Sequence, residues 1–166
     1  MKRAASWTMK WNEELNAQSD NPFVPGLVIV MDLDKFEEYV LQHGLSQYEP
    51  NIITGELTNF IEEFAVKHRG VVIYGLDRDR GTEEAIIEIP FGYEYLSSII
   101  KDLEELKKKV EEHGVSISIA VIRDYVTGKP ARNRREAYHG TPGRSRAIKV
   151  LKAIKRRGGG RILVLA

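Results

Sequence analysis

Residues 27–34 read Leu-Val-Ile-Val-Met-Asp-Leu-Asp. Five consecutive apolar side chains describe a central strand covered on both faces, and the two aspartates stand where that strand runs out. Residues 35–43 then suit a short helix before Gly44. Residues 54–68 carry Leu57, Phe60, Ile61, Phe64 and Ala65 on one helical stripe. Residues 71–76 and 85–89 are β-like runs, and the polar stretch 77–84 between them reads as a hairpin with a long tip. Residues 93–113 place Leu96, Ile99, Ile100, Leu103, Leu106 and Val110 at helical spacing, and residues 115–122 alternate as a strand. Residues 123–140 are loop-like and basic. Thr141-Pro142 is an N-cap followed by proline at the first helical position, so a helix should run to about residue 157. Three glycines, 158–160, end it, and residues 161–165 form a last strand.

The order is β-α-β-β-α-β followed by α-β: an α+β chain whose first six elements match a ferredoxin-like arrangement around a central antiparallel sheet. The crossover from the first strand makes the second parallel to it, so both finish at one sheet edge. The hairpin turns at that edge, and the third strand returns beside the first. Asp32 and Asp34 are therefore expected next to Asp77, Asp79, Glu83 and Glu84 of the turn. Crowded carboxylates repel, and a hard cation relieves the repulsion. Magnesium suits one or two carboxylates with a polyphosphate completing its octahedron. Asp34 reads equally as a cap on the helix starting at Lys35, and Arg78 and Arg80 offer counter-charge to the tip acids.

The chain has 166 residues with 42% hydrophobic and 30% charged, a length and composition that favour one domain with a real core. The charged fraction lies above the roughly 25% usual in soluble domains, the direction seen in thermophiles. No cysteine is present, which excludes thiolate zinc sites, cysteine nucleophiles and disulfides. No apolar run reaches the ~18–20 residues of a membrane span, and residues 1–20 lack the apolar centre of a signal peptide. A cytoplasmic protein without membrane contact is expected. Residues 1–25, with Trp7 and Trp11, read as an arm ahead of a domain at 26–166.

The net charge of +1 hides a division. Residues 129–166 hold twelve Lys or Arg against one acid, Glu136, so that end is strongly cationic and the remainder anionic. A cationic end suits phosphates. On the last helix Lys149, Lys152 and Arg156 fall close to one face with Lys155 beside it. No G-x-x-x-x-G-K-[ST], G-x-G-x-x-G or H-E-x-x-H spacing exists, which excludes P-loop, Rossmann and zincin sites. His43, His68 and His113 stand at or near helix ends followed by Gly44, Gly70 and Gly114, and need no catalytic explanation. His139 lies in the basic loop.

Three stretches resemble the palm-domain nucleotidyl cyclase superfamily, which includes diguanylate cyclases, CRISPR-associated cyclase palms and GTP cyclohydrolase III. Residues 28–36, V-I-V-M-D-L-D-K-F, are similar to its strand and D-x-D-x-F signature. Residues 70–76, G-V-V-I-Y-G-L, resemble the strand entering its hairpin, and residues 153–158, A-I-K-R-R-G, the end of its last helix. The resemblance implies a metal, Mg²⁺ or Mn²⁺, held by Asp32 and the Leu33 carbonyl, with Asp77 or Asp79 as the second ligand. It implies nucleotide contacts from Asp34, Phe36, Lys149, Lys155, Arg156 and Arg161, and a basic residue, Lys155, on the triphosphate. The hairpin departs from G-G-D-E-F, reading Gly75-Leu76-Asp77-Arg78-Asp79-Arg80-Gly81. That weighs against diguanylate synthesis and brings GTP cyclohydrolase III nearer.

The expected activity is therefore binding and conversion of a purine nucleoside triphosphate, GTP first, by cyclisation, nucleotidyl transfer or ring opening. No residue is singled out as base or nucleophile. A single palm module implies a homodimer if the site is shared. The alternatives are an RNA-binding ferredoxin-like domain using the basic C-terminal region, or a catalytically silent nucleotide sensor.

Overall fold

The computed structural model describes residues 23–166; Trp7, Trp11 and the expected arm as far as residue 22 lie outside them, and Val24 and Pro25, expected in the arm, belong to the first strand. The apolar run at 27–31 is the middle of strand β1 (Val24–Asp34), which crosses the centre of a five-stranded sheet. Short helix α1 (Phe36–Gln42) and helix α2 (Ile52–His68) lead to β2 (Val71–Tyr74) and β3 (Glu84–Pro90). A 3-10 turn (Gly92–Tyr95) opens α3 (Leu96–Glu112), followed by β4 (Ser116–Val126), α4 (Arg134–His139), α5 (Pro142–Arg156) and β5 (Ile162–Leu165).

The sheet order is β2-β3-β1-β4-β5. The first four strands run antiparallel to their neighbours, and β5 adds parallel to β4, which makes the sheet mixed. Alternation along β1 decides the layers. Leu27, Ile29, Met31 and Leu33 face α1, α2 and α3, whereas Val28 and Val30 face α4 and α5. Both faces are therefore covered, which is why this strand reads as unbroken apolar sequence.

Several boundaries differ from the sequence expectation for tertiary reasons. β1 begins at Val24, because Val24 and Pro25 pair with Val126 and Tyr125. The same pairing extends β4 to Val126, four residues into what reads as loop. The second strand stops at Tyr74, after a register shift next to Ile73. Within the basic loop, Asn133 caps α4 by accepting from the Glu136 N–H at 2.9 Å. The α5 cap is as expected: Thr141 accepts the Arg144 N–H at 3.1 Å, with Pro142 in the first turn.

The hairpin tip folds back onto α2. Thr58 and Thr82 hydroxyls meet at 2.8 Å, and Thr82 Oγ1 accepts the Asp77 N–H at 3.1 Å. Gly81 has φ +88°, and a Cβ there would stand 2.1 Å from Thr54 Oγ1, so only glycine lets the tip approach this closely.

On the opposite face, Glu88 and Arg144 form a fully buried ion pair at 3.1 Å. Glu88 Oε1 also accepts the Gly128 N–H, and Arg144 donates to the Lys129 and Glu136 carbonyls. This network ties the 127–129 loop and α4 to the centre of the sheet. Among the described residues no helix is long and apolar enough to cross a membrane.

Candidate functional site

The first, third and fourth strands meet in a rim of polar groups at the C-terminal end of β1. Asp32 is the register partner of Glu84 on β3 and of Ser118 on β4. Even-numbered β1 side chains face α4 and α5, so both helices bring cations to this rim. Lys155 Nζ stands 3.0 Å from Asp32 Oδ2 and 2.9 Å from Asp34 Oδ1, and donates to the Leu33 carbonyl at 3.2 Å. Arg134 lies 3.4 Å from Glu84 Oε2, and the Tyr138 hydroxyl donates to the same oxygen. Arg134 also donates to the Tyr138 hydroxyl at 2.9 Å and stacks over its ring at 4.8 Å.

Burial dominates the electrostatics of Asp32. It pushes the carboxyl up from 3.8 to about 6, against the pull of Lys155 and with help from the nearby charges of Glu84 and Asp34. Asp34 behaves oppositely. Burial alone would raise it, but donors from Ser116, Ser118, Lys155 and the Gly160 N–H outweigh that and hold it below its ordinary value. The Tyr138 phenol is held in its protonated form by burial and by the Glu84 carboxylate it donates to.

Two clefts open on this rim. One of about 400 Å³ is lined by Asp32, Leu33, Glu83, Glu84, Arg134 and Lys155, among others. Its neighbour of about 350 Å³ lies along the hairpin, with Tyr48, Tyr74, Asp77 and Arg80, and shares Glu37, Glu83 and Glu84 with the first.

The sequence-derived site residues fall into distinct groups. Asp32, the Leu33 carbonyl and Lys155 converge on one point. Asp34 is adjacent, but Ser116, Ser118, Lys155 and Gly160 occupy its oxygens at 2.6–2.9 Å, which makes it a clamp between β1, β4 and the α5–β5 turn. It does not cap α1, whose N-cap is Lys35 without a side-chain hydrogen bond. Phe36 lines the cleft edge yet is buried in the core, stacked on Tyr39 at 5.8 Å. Asp77 sits in the neighbouring cleft and accepts the Asp79 and Arg80 N–H groups at 3.0 and 2.9 Å, shaping its own turn. Asp79 is exposed and lines neither cleft. Lys149, Arg156 and Arg161 are exposed and line neither cleft.

Glu84, Arg134 and Tyr138 complete the rim; the sequence expectation brought Glu84 beside Asp32 with the other turn acids without choosing it, and did not bring Arg134 or Tyr138 there. Glu84 was visible only as one of four turn acids, and its place opposite Asp32 follows from strand register. Arg134 and Tyr138 stand four apart, a helical spacing concealed in a segment that reads as loop.

Among the described residues no three His, Cys, Asp or Glu side chains cluster to hold a metal. The donor set fits a hard cation in another way. A carboxylate oxygen and a main-chain carbonyl already converge on a positive charge, the Lys155 ammonium, with Glu84 opposite. Few protein oxygens plus substrate phosphates is the ordinary mode for magnesium. No protein-family model and no curated protein matches this chain.

Proposed function

We propose that the chain is a palm-type protein of ferredoxin-like topology that binds a purine nucleoside triphosphate, GTP first, with Mg²⁺ or Mn²⁺, and transfers or cyclises its nucleotidyl group. The observation that carries this reading is the convergence of Asp32, the Leu33 carbonyl and Lys155, across from Glu84 with Arg134. Anionic oxygens for a cation and side-chain cations for phosphates face one cleft.

In this reading Asp32 and the Leu33 carbonyl hold the ion, and Glu84 supplies the second acid in place of Asp77 or Asp79. Asp32 and Glu84 belong to facing strands, whereas Asp77 is committed to its own turn. Magnesium, when bound, neutralises phosphate charge and lowers the pKa of an attacking hydroxyl. Lys155 and Arg134 orient the triphosphate and stabilise charge on it. Tyr138 keeps its proton and remains a donor. The chemistry is attack of a hydroxyl oxygen on the α-phosphorus with pyrophosphate leaving. Ring opening of GTP is the alternative that product mass would reveal. A cytoplasmic homodimer is the setting this reading assumes.

Isothermal titration of GTP with and without magnesium, on the wild type and on Asp32→Ala, tests the assignment. Magnesium-dependent binding that disappears in the variant supports it, and equal binding in both proteins overturns it. Mass spectrometry of the products then separates pyrophosphate release from ring opening.

A further inference from the structure

Away from the clefts, the solvent face of α5 carries four cations, three of them without counter-charge among the described residues. The helix holds six Lys or Arg and no acid. Arg144 is buried against Glu88, and Lys155 turns into the acidic rim. Arg146, Lys149, Lys152 and Arg156 remain exposed. Steps of three and four residues put them on one face, opposite Ala147, Ile148, Leu151 and Ile154, which pack on the sheet. Arg146 lies 3.5 Å from Asp124; among the described residues Lys149, Lys152 and Arg156 have no carboxylate partner. The cations of α3, by contrast, share their helix with Asp102, Glu104, Glu105, Glu111 and Glu112, and Lys107–Glu111 within it and Lys67–Asp102 from α2 are ion pairs. The stripe spans roughly 15 Å along the helix axis.

We infer that this stripe docks the phosphate backbone of a nucleic-acid duplex, without regard to base sequence. A linear array of like charges matches a linear polyanion, and neutralising it releases condensed counterions. α5 contains no aromatic residue, whereas single-strand binders stack bases on aromatic rings. A protein partner would call for apolar or aromatic anchors at the centre of the patch; Lys149, Lys152 and Arg156 supply only ammonium and guanidinium groups, and the exposed Tyr125 and Leu165 lie at the Arg146 end alone. The apolar side of α5 is used by the sheet, so the helix has no face to insert into lipid. The surface is separate from the clefts and stands whether or not the protein acts on GTP.

Fluorescence anisotropy of the full chain against labelled RNA and DNA duplexes of about 20 base pairs, from about 50 to about 200 mM salt, tests the proposal. Four contacts predict a log–log salt slope of about −3 to −4, or roughly a hundredfold weakening over that range. Substituting Lys149→Gln, Lys152→Gln and Arg156→Gln together should reduce the slope to about −1 and weaken low-salt binding more than about tenfold. Substituting Lys101→Gln, Lys108→Gln and Lys109→Gln removes the same charge from α3 and should leave the wild-type slope. Circular dichroism melts verify that both variants fold. Absence of duplex binding at low salt, equal loss in the two variants, tighter binding of a single strand, or stripe-dependent binding to phosphatidylserine vesicles in place of duplex overturns the proposal.

Discussion

Asp32 and Glu84 are cross-strand partners on β1 and β3, and each carboxylate is met by a different cation, Lys155 from α5 and Arg134 from α4. Both helices belong to the basic C-terminal part of the chain. The charge division visible in the sequence thus has a structural counterpart, with cations from the C-terminal segment laid against the acidic rim of the sheet.

The raised carboxyl of Asp32 sets a pH dependence with a definite sign. Between about pH 4 and about pH 6 the folded state keeps a proton on Asp32 that the unfolded chain has released. Stability from this group is therefore present below that window and lost as pH rises through it. Asp32→Asn removes the titration. The difference in melting temperature between wild type and variant should shift in the variant's favour from pH 4 to pH 6, and a flat difference would count against the buried, titrating carboxyl. If the group also binds magnesium, wild-type affinity for the ion should fall as pH drops below about 6.

In the proposed reading the oxygens that hold the cation, Asp32 Oδ2 and the Leu33 carbonyl, are the ones that Lys155 contacts. Lys155→Met removes the competing ammonium, so Mn²⁺ alone should bind more tightly, by roughly tenfold or ~1.4 kcal/mol. GTP affinity in the presence of the ion should fall, because the phosphates lose a donor. Titration calorimetry of each ligand reads both changes, and parallel losses for the two would contradict the competition.

The Glu88–Arg144 pair is a structural strut whose cost appears when it is broken. Arg144→Ala leaves a fully buried carboxylate without its partner and should cost about 3–5 kcal/mol in urea unfolding. Replacing both residues, Glu88→Leu with Arg144→Met, should cost less than the single change, since no buried charge is then stranded.

Two positions with positive φ should respond in opposite directions. Arg69 ends α2 at φ 54°, and Arg69→Gly should stabilise the fold by about 1 kcal/mol by relieving left-handed strain. Gly159 has φ +69°, and a Cβ there would stand 2.7 Å from the Asp34 carboxyl. Gly159→Ala should therefore destabilise by roughly 1–3 kcal/mol, with the Asp34 clamp disrupted. Thermal melts of the two variants compare them directly.

Local pattern was enough for most elements of this protein. The apolar run at 27–31, the stripe of α3 and the Thr141-Pro142 cap are short-range signals, because burial periodicity and helix-end chemistry are settled within a few residues. Asp32 could be picked out as the acid that ends the apolar strand, whereas the Leu33 carbonyl and Lys155 were singled out only through the resemblance to the palm-domain superfamily. Tertiary structure alone decided that Glu84 opposes Asp32, that Asp34 is enclosed by Ser116, Ser118 and Gly160, and that Arg134 and Tyr138 reach the rim. Those facts depend on strand register and on a buried Glu88–Arg144 contact between residues 56 positions apart. Such pairings are set by the packing of the whole chain, and no local window contains them.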